Sequence, residues 1–308
     1  MKKIEFKFRS TGNRVDIRAV KYVPDKKIIA ILQIAHGMVE FIDRYDEFAK
    51  FLTSKGFLVV GNDHIGHGES VNSKDDWGYF GENGNKVLED DIHLLTTIIK
   101  KEYPDLPYFL LGHSMGSFYA RQYMSDYGNE LDGCIVMGTG YQPLVVVKAG
   151  MAMCKMIALF KGWRHRSNFV NNMAFGSYNK QFEPVRTRAD WLTKDEKIVD
   201  FYINEPKCSF LFTLNGYFNM FKGLSRLHDK KLLNKIPKKL PILLVSGSND
   251  PVGSNGKEVK QVYDTYNELQ LEDVNMKLYP NDRHEILNEL DNKQVYEDIY
   301  SWLDSKIQ

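Results

Sequence analysis

The chain has 308 residues, 43% of them apolar and 26% charged, close to the averages of folded domains, which excludes a bulk disordered polymer. Lysine and arginine number 41 against 40 aspartates and glutamates; a net charge of +1 excludes a whole-molecule electrostatic grip on nucleic acid. Cys134, Cys154 and Cys208 are the only cysteines, without CxxC spacing, which argues against a disulfide framework or a thiolate zinc site and suits a reducing, cytoplasmic compartment.

The opening stretch MKKIEFKFRS alternates polar with apolar residues and predicts a strand rather than a signal peptide. VDIRAVKYV has the same period of two, as in antiparallel strands with one wet face. IAILQIAH (29–36) is almost continuously apolar and predicts a strand buried on both faces. Phe41, Tyr45, Phe48 and Leu52 then recur at helical spacing, and Gly56 stops that helix. FLVVGND (57–63) is a second buried strand, Leu88, Ile92, Leu95 and Ile99 mark a helix, and PYFLLG (107–112) is a third strand with a helix directly after it. LDGCIVMG (131–138) is the fourth. From Tyr141 to Leu227 the rhythm breaks into helical and aromatic patterns, whose most apolar run, Met151–Phe160, is too short to span a bilayer. It resumes with LPILLVSGS (240–248), a helix near Lys257–Leu269, the strand VNMKLYP (274–280) and a closing helix bearing Val295, Ile299, Trp302 and Leu303.

This alternation predicts an α/β fold, a mostly parallel central sheet with helices on both faces. Residues 1–140 and 228–308 would form the main domain, and 141–227 a helical cap inserted after the fourth parallel strand.

Gly112-His113-Ser114-Met115-Gly116 is a G-x-S-x-G motif between a buried strand and a helix. That context is what a nucleophile elbow needs: a tight turn that exposes a serine hydroxyl at the carboxyl edge of the sheet, over a helix N-terminus. A serine nucleophile needs a base, and a histidine base needs a carboxylate to hold its tautomer. His284 in NDRHE and Asp250 in SNDPV both follow predicted strands, so both belong on the same sheet edge as Ser114. Asp282 is a rival acid, two residues before the histidine. An oxyanion hole would use the backbone N–H of Met115 and, after the first buried strand, that of Met38 in HGMVE. Glu40 and Arg44, four residues apart, would pair and stiffen that loop. Asp63, His64 and His67 lack a further ligand pair at metal-like spacing and read as a structural loop; no metal and no cofactor is expected. His113 reads as a packing residue.

These residues resemble the α/β-hydrolase superfamily, and more closely its monoacylglycerol lipase / bacterial lysophospholipase branch, with the serine aminopeptidase S33 type of domain. The matching segments are HGMVEFIDRYDEFA, NDHIGHGES, LLGHSMGS, SGSNDPVG and NDRHEILNE, with DWLTKDEKIVDFYINEPKC and FLFTLNGYFNMFKGL in the insertion. Phe41 stands where the family's HGxxEH pattern has histidine. The resemblance implies the triad Ser114, Asp250 and His284, donors at Met38 and Met115, and a mobile cap over an acyl pocket.

The methionines and aromatics of the insertion suit a flexible apolar ligand, with Met151, Phe175 and Tyr217, beside Glu40, as candidate contacts. The expected substrate is a lipid-like carboxylic ester; peptidase or thioesterase chemistry on the same triad is the alternative, and a non-catalytic binding protein the third. No nucleic acid partner is expected, and at most a transient membrane contact through the cap, whose Lys161, Arg164, His165 and Arg166 more simply form a solvated face.

Overall fold

The computed structural model describes residues 1–307. Two antiparallel strands, β1 (Lys2–Arg9) and β2 (Asp16–Val23), pair along their full length. β3 (Ala30–Ala35), β4 (Phe57–Asn62), β5 (Tyr108–His113), β6 (Gly133–Met137) and β7 (Ile242–Gly247) are buried at every residue, as their largely apolar runs require. β8 (Val274–Tyr279) alternates in exposure because it is an edge strand. The eight form one sheet in the order β1-β2-β4-β3-β5-β6-β7-β8, parallel from β4 onward.

The helices are α1 (Asp46–Lys55), α2 (Gly84–Glu102), α3 (Met115–Tyr127), α4 (Leu144–Lys161), α5 (Asn168–Phe175), α6 (Glu196–Asn204), α7 (Leu214–Arg226), α8 (Lys230–Leu233), α9 (Lys257–Glu268) and α10 (Asn292–Asp304). Successive strand side chains point to opposite faces, so the core divides in two. On one face Ile31, Val60, Leu110 and Val136 share a core with Ile92 of α2, Tyr119 of α3 and Val262 of α9. On the other, Leu32, Val59, Leu111 and Ile135 join Phe48 of α1 and Ile299 of α10.

The helix expected from Phe41 begins later. Ile42–Tyr45 is a 3-10 turn and α1 starts at Asp46, because Phe41 is extended and the Ile42 N–H is captured by Asp63 Oδ1 at 2.9 Å. Residues 141–227 enter between β6 and β7 and contain no strand. Most of the segment shares the main core: α7 packs on α2, α3 and α4, and Val147, Phe212, Tyr217 and Phe221 join the sheet's core, while Ala189, Leu192 and Val199 form a small cluster of their own.

Candidate active site

Ser114 joins β5 to α3 at φ 53° and ψ −120°, a region an L-residue enters only under strain. Its N–H is tied to the Met137 carbonyl at 2.9 Å. The flanking glycines are steric necessities: a Cβ at Gly112 would lie 2.3 Å from the Gly116 carbonyl oxygen, and one at Gly116 2.0 Å from that of Ala35. Relief of the strain should be measurable. Ser114→Gly is expected to be about 1 kcal/mol more stable than Ser114→Ala, read by thermal unfolding. Equal melting temperatures would show an unstrained turn.

Asp250 follows β7 and His284 follows β8, so both stand at the edge where Ser114 emerges. His284 Nδ1 lies 2.9 Å from Asp250 Oδ2, and both side chains are buried. Asp250 is itself held by Ser246 Oγ at 3.0 Å and by the Val252 N–H at 2.9 Å. With Nδ1 as donor, Nε2 is left with a free lone pair; it is buried and has no partner among the described residues. Asp282, the rival acid, turns instead to Lys194 Nζ at 2.6 Å. Glu289 and Asp291 gather around the same ammonium.

The loop after β3 is fixed from two sides. His36 Nδ1 bonds the Gly37 carbonyl at 2.8 Å, while His36 Nε2 accepts the His64 N–H at 2.9 Å, which sets the tautomer. Holding the Gly37 carbonyl in one direction aims the Met38 N–H in the opposite one, since the peptide is planar and trans. That N–H has no acceptor among the described residues. Met115 is the first residue of α3, and its N–H is among those a helix leaves unpaired. Val39 has φ 56°, which is exceptional for a β-branched residue and places further strain in this loop. His36, His64 and His67 pack as buried rings, tilted and edge-on to one another, each bonded to backbone.

Glu40 and Arg44 do pair, at 2.9 Å, but as part of a larger buried network invisible to local spacing. Arg44 grips both oxygens of Glu285 at 2.6 Å. Glu40 Oε1 accepts from the Gly37 N–H, from Tyr45 OH at 2.9 Å and from His113 Nδ1 at 3.1 Å. Burial pushes the Glu40 carboxyl up, yet His113 and Arg44 outweigh it and hold the group well below the usual carboxylate range. Burial acts on Glu285 in the same sense, and Arg44 again outweighs it and holds that carboxyl low.

Ser114, Met38, Met115, His284 and Glu40 line one cavity of about 650 Å³, within the size range of small-molecule sites. Its walls include Val146, Met173, Phe175, Met220, Phe221 and Leu224 from the inserted segment. Of the candidate contacts in that segment, Phe175 lines the cavity, whereas Met151 and Tyr217 do not. Tyr217 is fully buried in the core with its hydroxyl on Asn171 Oδ1, so its aromatic character serves packing. Phe41 is also outside the lining, with Lys207 Nζ 5.2 Å from its ring centre. Other apolar side chains of the segment face outward: Leu159 is 83% and Phe160 86% exposed.

Sequence reasoning missed residues 186–195. The His284 N–H meets the Trp191 carbonyl, the Glu285 N–H meets that of Leu192 at 2.7 Å, and the Trp191 ring lies 5.0 Å from the His284 ring. This stretch straps the His284 loop. The sequence marked it only by the resemblance of DWLTKDEK and by a lone tryptophan among charged residues, neither of which points to the His284 loop.

A family model described as serine aminopeptidase, S33, matches residues 26–291. A monoglyceride lipase homolog of Monkeypox virus is 28% identical over 91% of each chain. A monoacylglycerol lipase of Mycolicibacterium smegmatis is 26% identical over 93% of this chain and 92% of its own. Among solved structures, a highly thermostable carboxyl esterase from Bacillus coagulans, in complex with glycerol, superposes with a TM-score of 0.93 at 30% identity and covers all of both chains.

Proposed function

Since the chain belongs to the serine aminopeptidase S33 family of α/β-hydrolases, we propose that it hydrolyses lipid esters of the monoacylglycerol type through Ser114, His284 and Asp250. That it is a carboxylic ester hydrolase follows from its relatives, which are monoglyceride lipases and a carboxyl esterase. The observation that carries the finer reading is the meeting, on the wall of one largely apolar cavity, of Ser114 with a histidine whose Nδ1 is bonded to Asp250 and whose Nε2 is free.

In this reading Ser114 Oγ attacks the ester carbonyl and its proton passes to His284 Nε2. The negative charge that develops on the carbonyl oxygen is met by the N–H groups of Met38 and Met115. Collapse breaks the acyl–oxygen bond, and the leaving alcohol takes the proton back from His284. A water, deprotonated by the same nitrogen, then releases the fatty acid and restores Ser114.

An aminopeptidase would need a carboxylate to receive the substrate ammonium. Among the described residues, Glu40 and Glu285 are the only carboxylates in the cavity wall, and Arg44 binds both. Asp190 is spent on the Arg186 and Thr187 N–H groups, and Asp195 caps α6. These commitments favour an ester over an aminoacyl substrate.

No helix among the described residues is long and apolar enough to cross a membrane. Val145, Leu159, Phe160 and Phe169 are nevertheless exposed, and residues 141–182 carry Lys148, Lys155, Lys161, Arg164, Arg166 and Lys180 without one acidic side chain. This supports transient docking of that face on an anionic lipid surface, from which substrate would enter.

The test is a panel of monoacylglycerols, lysophospholipids, acyl thioesters and aminoacyl amides assayed by kcat/KM, with fluorophosphonate labelling of Ser114 alongside. Monoacylglycerols should lead and Ser114 should label rapidly. An aminoacyl amide that outruns every ester would put the peptidase reading in its place.

A further inference from the structure

We propose that His113, the residue before Ser114 in the G-x-S-x-G turn, stands in the resting enzyme as an imidazolium, and that this buried cation positions the His284 loop against the Gly37 loop. The inference rests on the reading of Ser114 and His284 given above.

The geometry offers acceptors to both ring nitrogens. Nδ1 lies 3.1 Å from Glu40 Oε1 and 3.0 Å from Tyr45 OH. Tyr45 gives its proton to Glu40 at 2.9 Å, so its oxygen faces His113 with lone pairs. Nε2 lies 3.4 Å from the backbone carbonyl of His284, which can only accept. A neutral imidazole carries one N–H and would leave one of these sides facing a lone pair. The imidazolium satisfies both.

Charge leads to the same state. Glu40, Glu285 and Arg44 are nearly fully buried and together carry one uncompensated negative charge. A proton on His113 closes the cluster at neutrality, which a low-dielectric interior favours. The remaining neighbours do not supply that charge. His36 is itself pushed down, by burial first and by the His113 charge nearby. The His284 ring is 4.8 Å away. β6 offers only Met137 and then Gly138, where a Cβ would lie 3.4 Å from His113 Cδ2. From α10 comes Tyr296, whose hydroxyl is on the Leu287 carbonyl, and Tyr202 of α6 faces Arg44. Burial pulls the His113 imidazole down, but the bond and charge of Glu40, with Glu285 behind it, leave it above the ordinary histidine value.

One ring thereby references three parts of the site. It adjoins Ser114 in the chain, reaches the Gly37 N–H through Glu40, and holds the His284 carbonyl directly. It is a positioning residue: it acts through its neighbours, by the bonds to Glu40 and to the His284 carbonyl.

The experiment uses full-length protein labelled with ¹⁵N-histidine. Long-range ¹H–¹⁵N spectra near neutral pH are expected to show both His113 nitrogens protonated, assigned by the signals that vanish in His113→Asn. Should that variant fail to fold, Tyr45→Phe, which leaves every charge in place, assigns them by the shift it causes. A singly protonated His113 overturns the proposal. In kinetics, His113→Asn removes the hold on the His284 carbonyl, so kcat should fall by about tenfold or more. An unchanged kcat also overturns it. Failure of the underlying reading is separately visible, because an active Ser114→Ala would leave the spectra of His113 unchanged.

Discussion

Ser114→Ala should lower kcat by about 10⁴–10⁶ without loss of fold, because a nucleophile, its base and the orienting acid act as one unit. Folding should persist, since the turn is held by the Ser114 N–H on the Met137 carbonyl, which the substitution leaves in place. His284→Ala should cost about as much. Asp250→Asn should cost somewhat less, because Ser246 and Val252 still hold the residue, and what is lost is the carboxylate charge and the His284 tautomer. The diagnostic is the double variant of Ser114 and His284, expected to be scarcely worse than either single one. Steady-state kinetics on a p-nitrophenyl ester decides it. Losses that add, or a Ser114→Ala enzyme retaining more than about a tenth of the activity, would break the assignment.

The second large effect concerns acyl length. Each methylene that the cavity takes from water contributes up to about 0.8 kcal/mol, or roughly fourfold in kcat/KM. Across p-nitrophenyl esters, kcat/KM should therefore climb from acetate toward medium chains and level off once the cavity of about 650 Å³ is filled. Phe175 and Met220 line that cavity from the inserted segment, well apart in sequence from the sheet residues that hold Ser114 and His284. Phe175→Ala and Met220→Ala should flatten the slope while leaving acetate turnover nearly intact. Deleting residues 141–227 is not an equivalent experiment, because Trp191, Leu192 and Lys194 hold the His284 loop from within that segment. Acetate as the best substrate of the intact enzyme would mean a small pocket and would end the lipid reading.

The sequence by itself determined the sheet, because five strands buried on both faces must be written in nearly continuous apolar residues, as IAILQIA and PYFLLG are. It determined the turn at Ser114 too, since two glycines at that spacing between a strand and a helix answer contacts of 2.3 and 2.0 Å that no side chain could occupy. Asp250 and His284 were legible because parallel strands deliver the loops that follow them to one edge.

Other features were decided only by tertiary structure, for reasons of distance along the chain. Glu285 meets Arg44 and His113 meets Glu40 across loops that local spacing cannot connect, so a pair that read as a simple i,i+4 contact became a buried cluster. The expected helix at Phe41 yielded to Asp63, a residue of the neighbouring loop that takes the Ile42 N–H and keeps the chain open toward the site. Which apolar side chains of residues 141–227 face the cavity was equally undetermined. Phe175 reaches it, Tyr217 is consumed by the core and Phe160 lies in solvent, although all three are aromatic residues in helices of one segment. Helical spacing says which residues share a face; only the packing of α7 on α2, α3 and α4 says what that face meets.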